Sequence, residues 1–259
     1  MNIVVCVKQV PDTNLPLHLN SDGKNVDPSK LSYVINPYDE YALEEALQIK
    51  EQIPSTIITA ITLGSEDSEQ VLRHALALGV DDAIHVLKQA DQHLCALDVS
   101  KILSEVIKSK KADIVLCGRQ AVDDDAFQVG SGVGVILNYP IVAFVSRVEV
   151  DNNEIKVERV LNRGGTQIFK LDFPCVLTCQ KGLNDPRYPS LPGVMKAKKK
   201  EIKKVLVSEF NLDLKKAAVL KSVKFPEMTR KQIILDDLDQ GQNVFELIKL
   251  LKSDSGVIS

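Results

Sequence analysis

Four short runs rich in apolar and β-branched residues punctuate the first half of the chain, at 2–8, 56–62, 83–87 and 113–117. None alternates strictly with polar residues, which is the pattern of strands covered on both faces, as in a parallel sheet. Between the runs, apolar positions recur at helical spacing. Ala42, Leu43, Ala46, Leu47 and Ile53 form one stripe, in a segment opened by Asn36-Pro-Tyr-Asp-Glu40. Asn36 suits an N-cap, Pro37 suits the first helical position, and Asp39 and Glu40 favour the positive end of the helix dipole. A second helix is predicted over about 67–78, stopped by Gly79, and a third over about 97–108. The order β-α-β-α-β-α-β predicts an open α/β sheet with right-handed crossovers.

After Tyr139 the rhythm changes. Runs at 141–150 and 154–161 flank the turn signal Asp151-Asn152-Asn153, and shorter runs follow at 167–171 and 175–179. All four are expected as antiparallel strands extending or flanking the sheet. From Lys181 periodicity fades. Pro186, Pro189 and Pro192 predict an extended backbone, followed by a lysine-rich stretch, so an arm lying over another surface is expected. Residues 244–252 again show helical spacing, at Val244, Leu247, Ile248 and Leu251. The expected division is a nucleotide-binding α/β domain over 1–182 and a partner-docking arm over 183–259.

Composition narrows the function classes. With 259 residues and 44% hydrophobic content, the chain can bury a sizeable core. No run approaches the roughly 18 consecutive apolar residues that span a bilayer. The first residues read as an opening strand without a basic leader or cleavage site, so an intracellular, cytoplasmic protein is expected, or one of the mitochondrial matrix in a eukaryote. A net charge of −3 does not point to nucleic acid. The five cysteines are scattered in apolar contexts and predict no disulfide framework; Cys175 and Cys179 would share one face of a strand. His18, His74, His85 and His93 fall in no ligand spacing, and no metal is expected.

The segment richest in chemistry is Gly118-Arg-Gln-Ala-Val-Asp-Asp-Asp-Ala-Phe-Gln-Val-Gly130. It follows the fourth strand, at a carboxyl end of the sheet, where ligands of open α/β folds bind. Asp125 and Gln128 have capping-box spacing, which predicts a helix starting at Ala126 whose free N–H groups could hold a phosphate. Gly130, Gly132 and Gly134 inside that helix each cost up to about 1 kcal/mol against alanine, so another backbone or a ligand is expected to approach closely. Simple packing of helix on strand is the plainer alternative. Three adjacent carboxylates repel phosphate, so at least one should bond backbone or ribose hydroxyls instead. The chain has no Walker-type phosphate loop, no Gly-x-Gly-x-x-Gly after a strand and no nucleophile elbow. Covalent catalysis has no positive sign.

Val7-Lys8-Gln9-Val10-Pro11-Asp12, Asn36-Pro-Tyr-Asp-Glu40 and Gly118-Arg-Gln-Ala-Val-Asp-Asp-Asp125 resemble three successive segments of the electron-transfer flavoprotein beta subunit family. Leu183-Asn-Asp-Pro-Arg-Tyr-Pro-Ser-Leu-Pro-Gly-Val-Met-Lys-Ala-Lys-Lys-Lys200 is similar to that family's arm and recognition loop. The chain departs from the family signature at Asn162 and Arg163, where acidic and small residues are usual.

The resemblance implies an α/β fold with an open, mainly parallel sheet of the adenine-nucleotide alpha-hydrolase-like type, added antiparallel strands and an extended C-terminal arm. It implies a non-enzymatic electron carrier of fatty acid oxidation, paired with an alpha subunit that holds most of an FAD site, with a structural AMP in this subunit. Carried over by position, the nucleotide would contact Cys6 and Leu63. The second segment would add Asn36, Pro37, Tyr38 and Asp39, with Tyr38 near the flavin. The third would add Gly118, Arg119, Gln120, Ala121, Val122, Asp123, Asp124, Asp125, Ala126, Phe127, Gln128 and Val129, the phosphate lying near the backbone of the last five. Leu191 matches an exposed anchor for acyl-CoA dehydrogenases, with Pro192, Met195 and Lys196 beside it. Electrons would pass on to an electron-transfer flavoprotein-quinone oxidoreductase. Bifurcating relatives place a second FAD where AMP sits, and usually have glycine where this chain has Asp124. Rival classes are a universal-stress-type nucleotide-binding homodimer and an adenylating enzyme. The second would need a Ser-Gly-Gly loop after the first strand, and residues 7–12 have none.

Overall fold

The computed structural model describes every residue except 24–25, 90–93, 152–153, 162–163, 215–221, 227–231, 236–239 and 254–259. Asn162 and Arg163 therefore lie outside the described residues. Two compact units are resolved, Met1–Ser222 and Val223–Ser259. Residues 183–222, the first half of the expected arm, lie within the first unit.

The first unit is built on nine strands in the order β11 (Lys203–Leu206), β5 (Asp82–Leu87), β4 (Ile57–Gly64), β1 (Asn2–Cys6), β6 (Ile114–Gly118), β10 (Cys175–Cys179), β7 (Ile141–Val150), β8 (Ile155–Val160) and β9 (Thr166–Leu171). The four opening runs become β1 (Asn2–Cys6), β4 (Ile57–Gly64), β5 (Asp82–Leu87) and β6 (Ile114–Gly118), all parallel. Their missing polar alternation has a direct cause. Ile3, Val5, Ile114 and Leu116 enter one buried cluster with Leu43 and Leu47 of α1 (Pro37–Gln52) and Val71 and Leu72 of α2 (Glu69–Leu78). Val4, Cys6, Val115 and Cys117 enter another, with Ile102 and Ile107 of α3 (Ala96–Lys110) and Val133 of α4 (Val129–Leu137). Successive strand side chains point to opposite faces, and both faces are roofed by helices. Gly79 closes α2 at φ 120°, a conformation that side chains with a Cβ rarely adopt.

The later strands differ from expectation in one place. β7 (Ile141–Val150), β8 (Ile155–Val160) and β9 (Thr166–Leu171) form the expected antiparallel meander. β10 (Cys175–Cys179) instead runs parallel between β6 and β7. All five of its residues are buried, the condition of an interior strand covered on both faces. A small antiparallel pair, β2 (Gln9–Pro11) with β3 (Tyr33–Ile35), stands apart from the main sheet.

The proline-rich stretch also departs from an extended arm. α5 (Leu191–Lys199) is helical, and β11 (Lys203–Leu206) adds to β5 at the sheet edge. The Ser190 hydroxyl accepts the Gly193 N–H at 3.2 Å, Pro192 occupies the first turn, and Lys196, Lys198 and Lys199 favour the negative C-terminal end of the helix. Within the second unit, α6 (Gln240–Ser253) covers the predicted 244–252.

Candidate functional site

A cavity of about 350 Å³ opens at the carboxyl ends of β1, β4 and β6, within the ~300–1,000 Å³ range of small-molecule sites. Cys6, Ile61 and Cys117 from the strands line its base, with Gly130 from the first turn of α4. Leu63, Leu94, Val99 and Leu103 make an apolar wall, and Asn36, Asp39 and the loop after β6 make a polar one. Lys8, Lys88 and Asp124 also line it.

Asp39 organises the polar wall. Only 5% exposed, it accepts the backbone N–H of Lys8 at 2.7 Å, the Asn36 amide at 2.9 Å and the backbone N–H of Gly118 at 3.0 Å. One carboxylate thus ties the ends of β1 and β6 to the start of α1. Burial raises its carboxyl to about 7, while the three donors pull it down. Asn36 occupies the N-cap position but makes no side-chain cap bond. Its amide donates instead to Asp39 and to the Gln120 carbonyl (2.8 Å), and its carbonyl oxygen accepts the Val122 N–H at 3.3 Å. The expected cap has become a tether for the site loop.

That loop differs from a helix starting at Ala126. Asp125 and Phe127 adopt φ 47° and φ 57°, the Asp125 carboxylate is held by the Gln120 amide, and α4 begins only at Val129. Gly132 N–H is the donor that reaches back to the Gln128 carbonyl, at 2.8 Å. The backbone N–H groups of Val129, Gly130 and Ser131 precede it and have no partner within the helix, which leaves a place for an anion. The acidic triplet does not face such an anion as a block. Lys8 Nζ meets Asp123 at 2.7 Å and Asp124 at 3.3 Å, and Asp124 also accepts the Ala126 N–H at 3.1 Å. The three helix glycines all allow close packing, Gly130 and Gly134 on strands and Gly132 on α3, and Gly130 also lines the cavity. A Cβ at Gly130 would meet Thr178, one at Gly132 would meet Ser100, and one at Gly134 would meet Ile141.

Of the residues singled out from sequence, Cys6, Asn36, Asp39, Leu63 and Gly118 line the cavity, with Arg119, Gln120, Ala121 and Asp124. Ala126, Phe127, Gln128 and Val129 complete the loop's share. Pro37, Tyr38, Val122, Asp123 and Asp125 are not among its lining residues. Tyr38 instead holds the Arg119 guanidinium, whose carbon lies 4.8 Å from the Tyr38 ring centroid, 5.4 Å from that of Phe127 and 5.7 Å from that of Phe144. Phe144 carried no signal in the pattern. It sits at φ 62° where the β7 register against β10 shifts by a residue, and such an irregularity re-aims a side chain. Lys88, Val99 and Leu103 were also not anticipated, being supplied by β5's end and by α3.

The residues expected from the resemblance to dock a partner lie elsewhere in the first unit. Leu191 and Met195 on α5 are 82% and 58% exposed, and Pro192 and Lys196 are exposed beside them. Among the described residues no group of three or more His, Cys, Asp or Glu is arranged to hold a metal, and no helix is long and apolar enough to cross a membrane.

Residues 25–210 match the family model described as the electron transfer flavoprotein domain. The chain is 36% identical over 260 residues to the mitochondrial electron transfer flavoprotein subunit beta of Oryza sativa, covering 100% of both. It is 35% identical over 265 residues to the subunit beta of Bacillus subtilis, again over 100% of both. Against the Bos taurus subunit beta it is 36% identical over 228 residues, 87% of this chain and 89% of the relative. A small-molecule cavity at the carboxyl edge of a parallel sheet, and likeness over the whole length, lead to one conclusion: the chain belongs to the electron transfer flavoprotein family, among its beta subunits.

Proposed function

We propose that this chain is the small subunit of a heterodimeric electron carrier, paired with an alpha subunit that holds most of an FAD. Bound mainly by the alpha subunit, the FAD would supply the redox chemistry that links acyl-CoA and related dehydrogenases to a membrane quinone oxidoreductase. The chain turns over no substrate of its own and works in the cytoplasm, or in the mitochondrial matrix of a eukaryote. The observation that carries the reading is the cavity, in a chain alike to beta subunits from end to end. Its apolar wall suits a planar base, and the open N–H groups at the start of α4 suit a phosphate. An AMP fits both. The volume and the Asp124 side chain at the cavity favour a mononucleotide over a second FAD.

Co-expression with an alpha subunit tests this. The expected product is a yellow one-to-one complex that releases one FAD and one AMP on denaturation. Two flavins per complex would favour the bifurcating type. A colourless homodimer would overturn the reading.

Leu191 provides a second test. An apolar anchor held among prolines loses little entropy on docking, and hot-spot truncations cost ~2 kcal/mol or more. Leu191→Ala should lower the rate of reduction by an acyl-CoA dehydrogenase roughly thirtyfold, with flavin content unchanged. A fall in flavin content would reassign Leu191 to the subunit interface.

A further inference from the structure

α1 carries two buried carboxylates on its surface side, Glu44 (4% exposed) and Glu45 (6%). Both are satisfied by the segment that leads into α5. Asn184 donates its amide to the Tyr41 carbonyl at 3.0 Å and to Glu45 at 2.9 Å. Arg187 meets Glu44 as a fork, Nε at 2.7 Å and Nη2 at 2.8 Å, adds its backbone N–H at 3.2 Å, and reaches Glu51 with Nη1. Such a bidentate pair fixes orientation as well as position, which a point charge does not.

The next residue is Tyr188, 94% exposed, and Leu191 follows three positions later. The far side of this stretch is held independently. Arg73 donates Nη1 to the carbonyls of Ala197 and Lys200, and Lys200 Nζ donates to those of Val80 and Asp81, each at 2.9 Å. Gly193 rests against the Ala77 carbonyl so closely that no Cβ fits. Tyr188 is therefore displayed between two anchors, Arg187 before it and α5 after it, and Leu191 stands at the first position of that helix. Lys196, Lys198, Lys199 and Lys203 are exposed on the same α5–β11 stretch. An apolar display with cations around it fits an apolar pocket rimmed by carboxylates.

We propose that Arg187 is a positioning residue for dehydrogenase docking: its clamp on Glu44 and Glu51 presents Tyr188 and Leu191 together, and Tyr188 is a second anchor in the partner's pocket. This rests on the docking reading above. Without the clamp, residues 183–190 must be ordered at the moment of encounter, which weakens association without touching the flavin.

The test uses the flavin-loaded heterodimer with an acyl-CoA dehydrogenase. Arg187→Ala should raise the KM for the flavoprotein about tenfold, equivalent to ~1.4 kcal/mol, with kcat and flavin content held within about twofold. Amide hydrogen exchange over residues 183–190 should speed up in the same variant. Arg187→Lys should give a smaller rise, since an ammonium cannot span both carboxylates. Tyr188→Ala should raise KM with no change in exchange. Arg187→Ala leaves Glu44 buried without a cation, with the Gln48 amide still donating to it. If that variant fails to assemble, Arg187→Lys and Glu51→Gln decide the matter, each loosening the clamp while leaving Glu44 a cationic partner. A KM unchanged in the clamp variants, while Leu191→Ala raises it, would reduce Arg187 to a structural tie. A KM unmoved by Leu191→Ala as well would defeat the docking reading itself.

Discussion

Replacing Asp39 by alanine is expected to destabilise the protein by about 3–5 kcal/mol and to empty the cavity of the proposed nucleotide. The carboxylate accepts three N–H donors, two of them backbone groups at the ends of β1 and β6 and the third the Asn36 amide. A buried donor left unpaired costs ~1–3 kcal/mol, and the cavity can admit water to offset part of that. The sum is a large share of the ~5–15 kcal/mol by which a domain is stable. The loss spreads to the site because Asn36, released from Asp39, also tethers the loop at Gln120 and Val122. Urea denaturation and nucleotide released from the purified complex are the two readouts. A variant of normal stability with full nucleotide content would refute the role given to Asp39.

The same residue makes a pH prediction with a definite sign. Burial raises Asp39 to about 7 and Glu45 to about 7, the latter against the Asn184 amide. Both lie above the ~3.9–4.3 of an unfolded chain, so the folded state binds these protons more tightly. Their contribution to stability is complete below about pH 4 and is lost as pH rises through about 7. The urea midpoint should fall between pH 5.5 and pH 8.5. Asp39→Asn, which cannot titrate, should show a shallower fall from a lower starting point; an unchanged slope would mean that Asp39 stays ionised throughout.

Gly118→Ala is the second large effect. Gly118 ends β6, and a methyl there would lie 2.8 Å from the Tyr38 Cβ and 3.0 Å from the Tyr38 carbonyl carbon, and against the Asp39 carboxylate. Two of those neighbours belong to the first turn of α1 and are not the free ends of flexible chains. The turn must move, at a cost of ~1–3 kcal/mol for overpacking, plus the Gly118 N–H bond to Asp39. Expected results are a clear drop in thermal stability and loss of bound nucleotide, while Gly23→Ala, in open space, should spare the nucleotide. Normal nucleotide content in Gly118→Ala would show that the helix start is free to shift.

Much of this molecule was legible from local pattern. The uninterrupted apolar strands, the stripe on α1, the stop at Gly79 and the place of the 118–130 segment at a carboxyl end follow from residues a few positions apart. Even α5 left a readable trace, since Ser190 and Pro192 are helix-start residues and the lysines suit a helix end, although three prolines so close together read first as extended chain.

Other features depend on residues far apart. Asn36 is a sound N-cap by type, but a buried carboxylate three residues on and a carbonyl 84 residues away offer its side chain stronger bonds. α4 starts late because Gln120 holds Asp125 in a left-handed conformation outside the helix. β10 takes an interior place, between β6 and β7, because five consecutive residues need cover on both faces. The sequence alone determined which segments become strands and helices and where a ligand could approach, since the period of apolar residues encodes which sides must leave water. Tertiary structure alone decided which side chain meets which: Lys8 with Asp123 and Asp124, Arg119 among three rings, Arg187 on Glu44. Those pairings arise from charge and shape brought together by the fold, and no spacing along the chain records them.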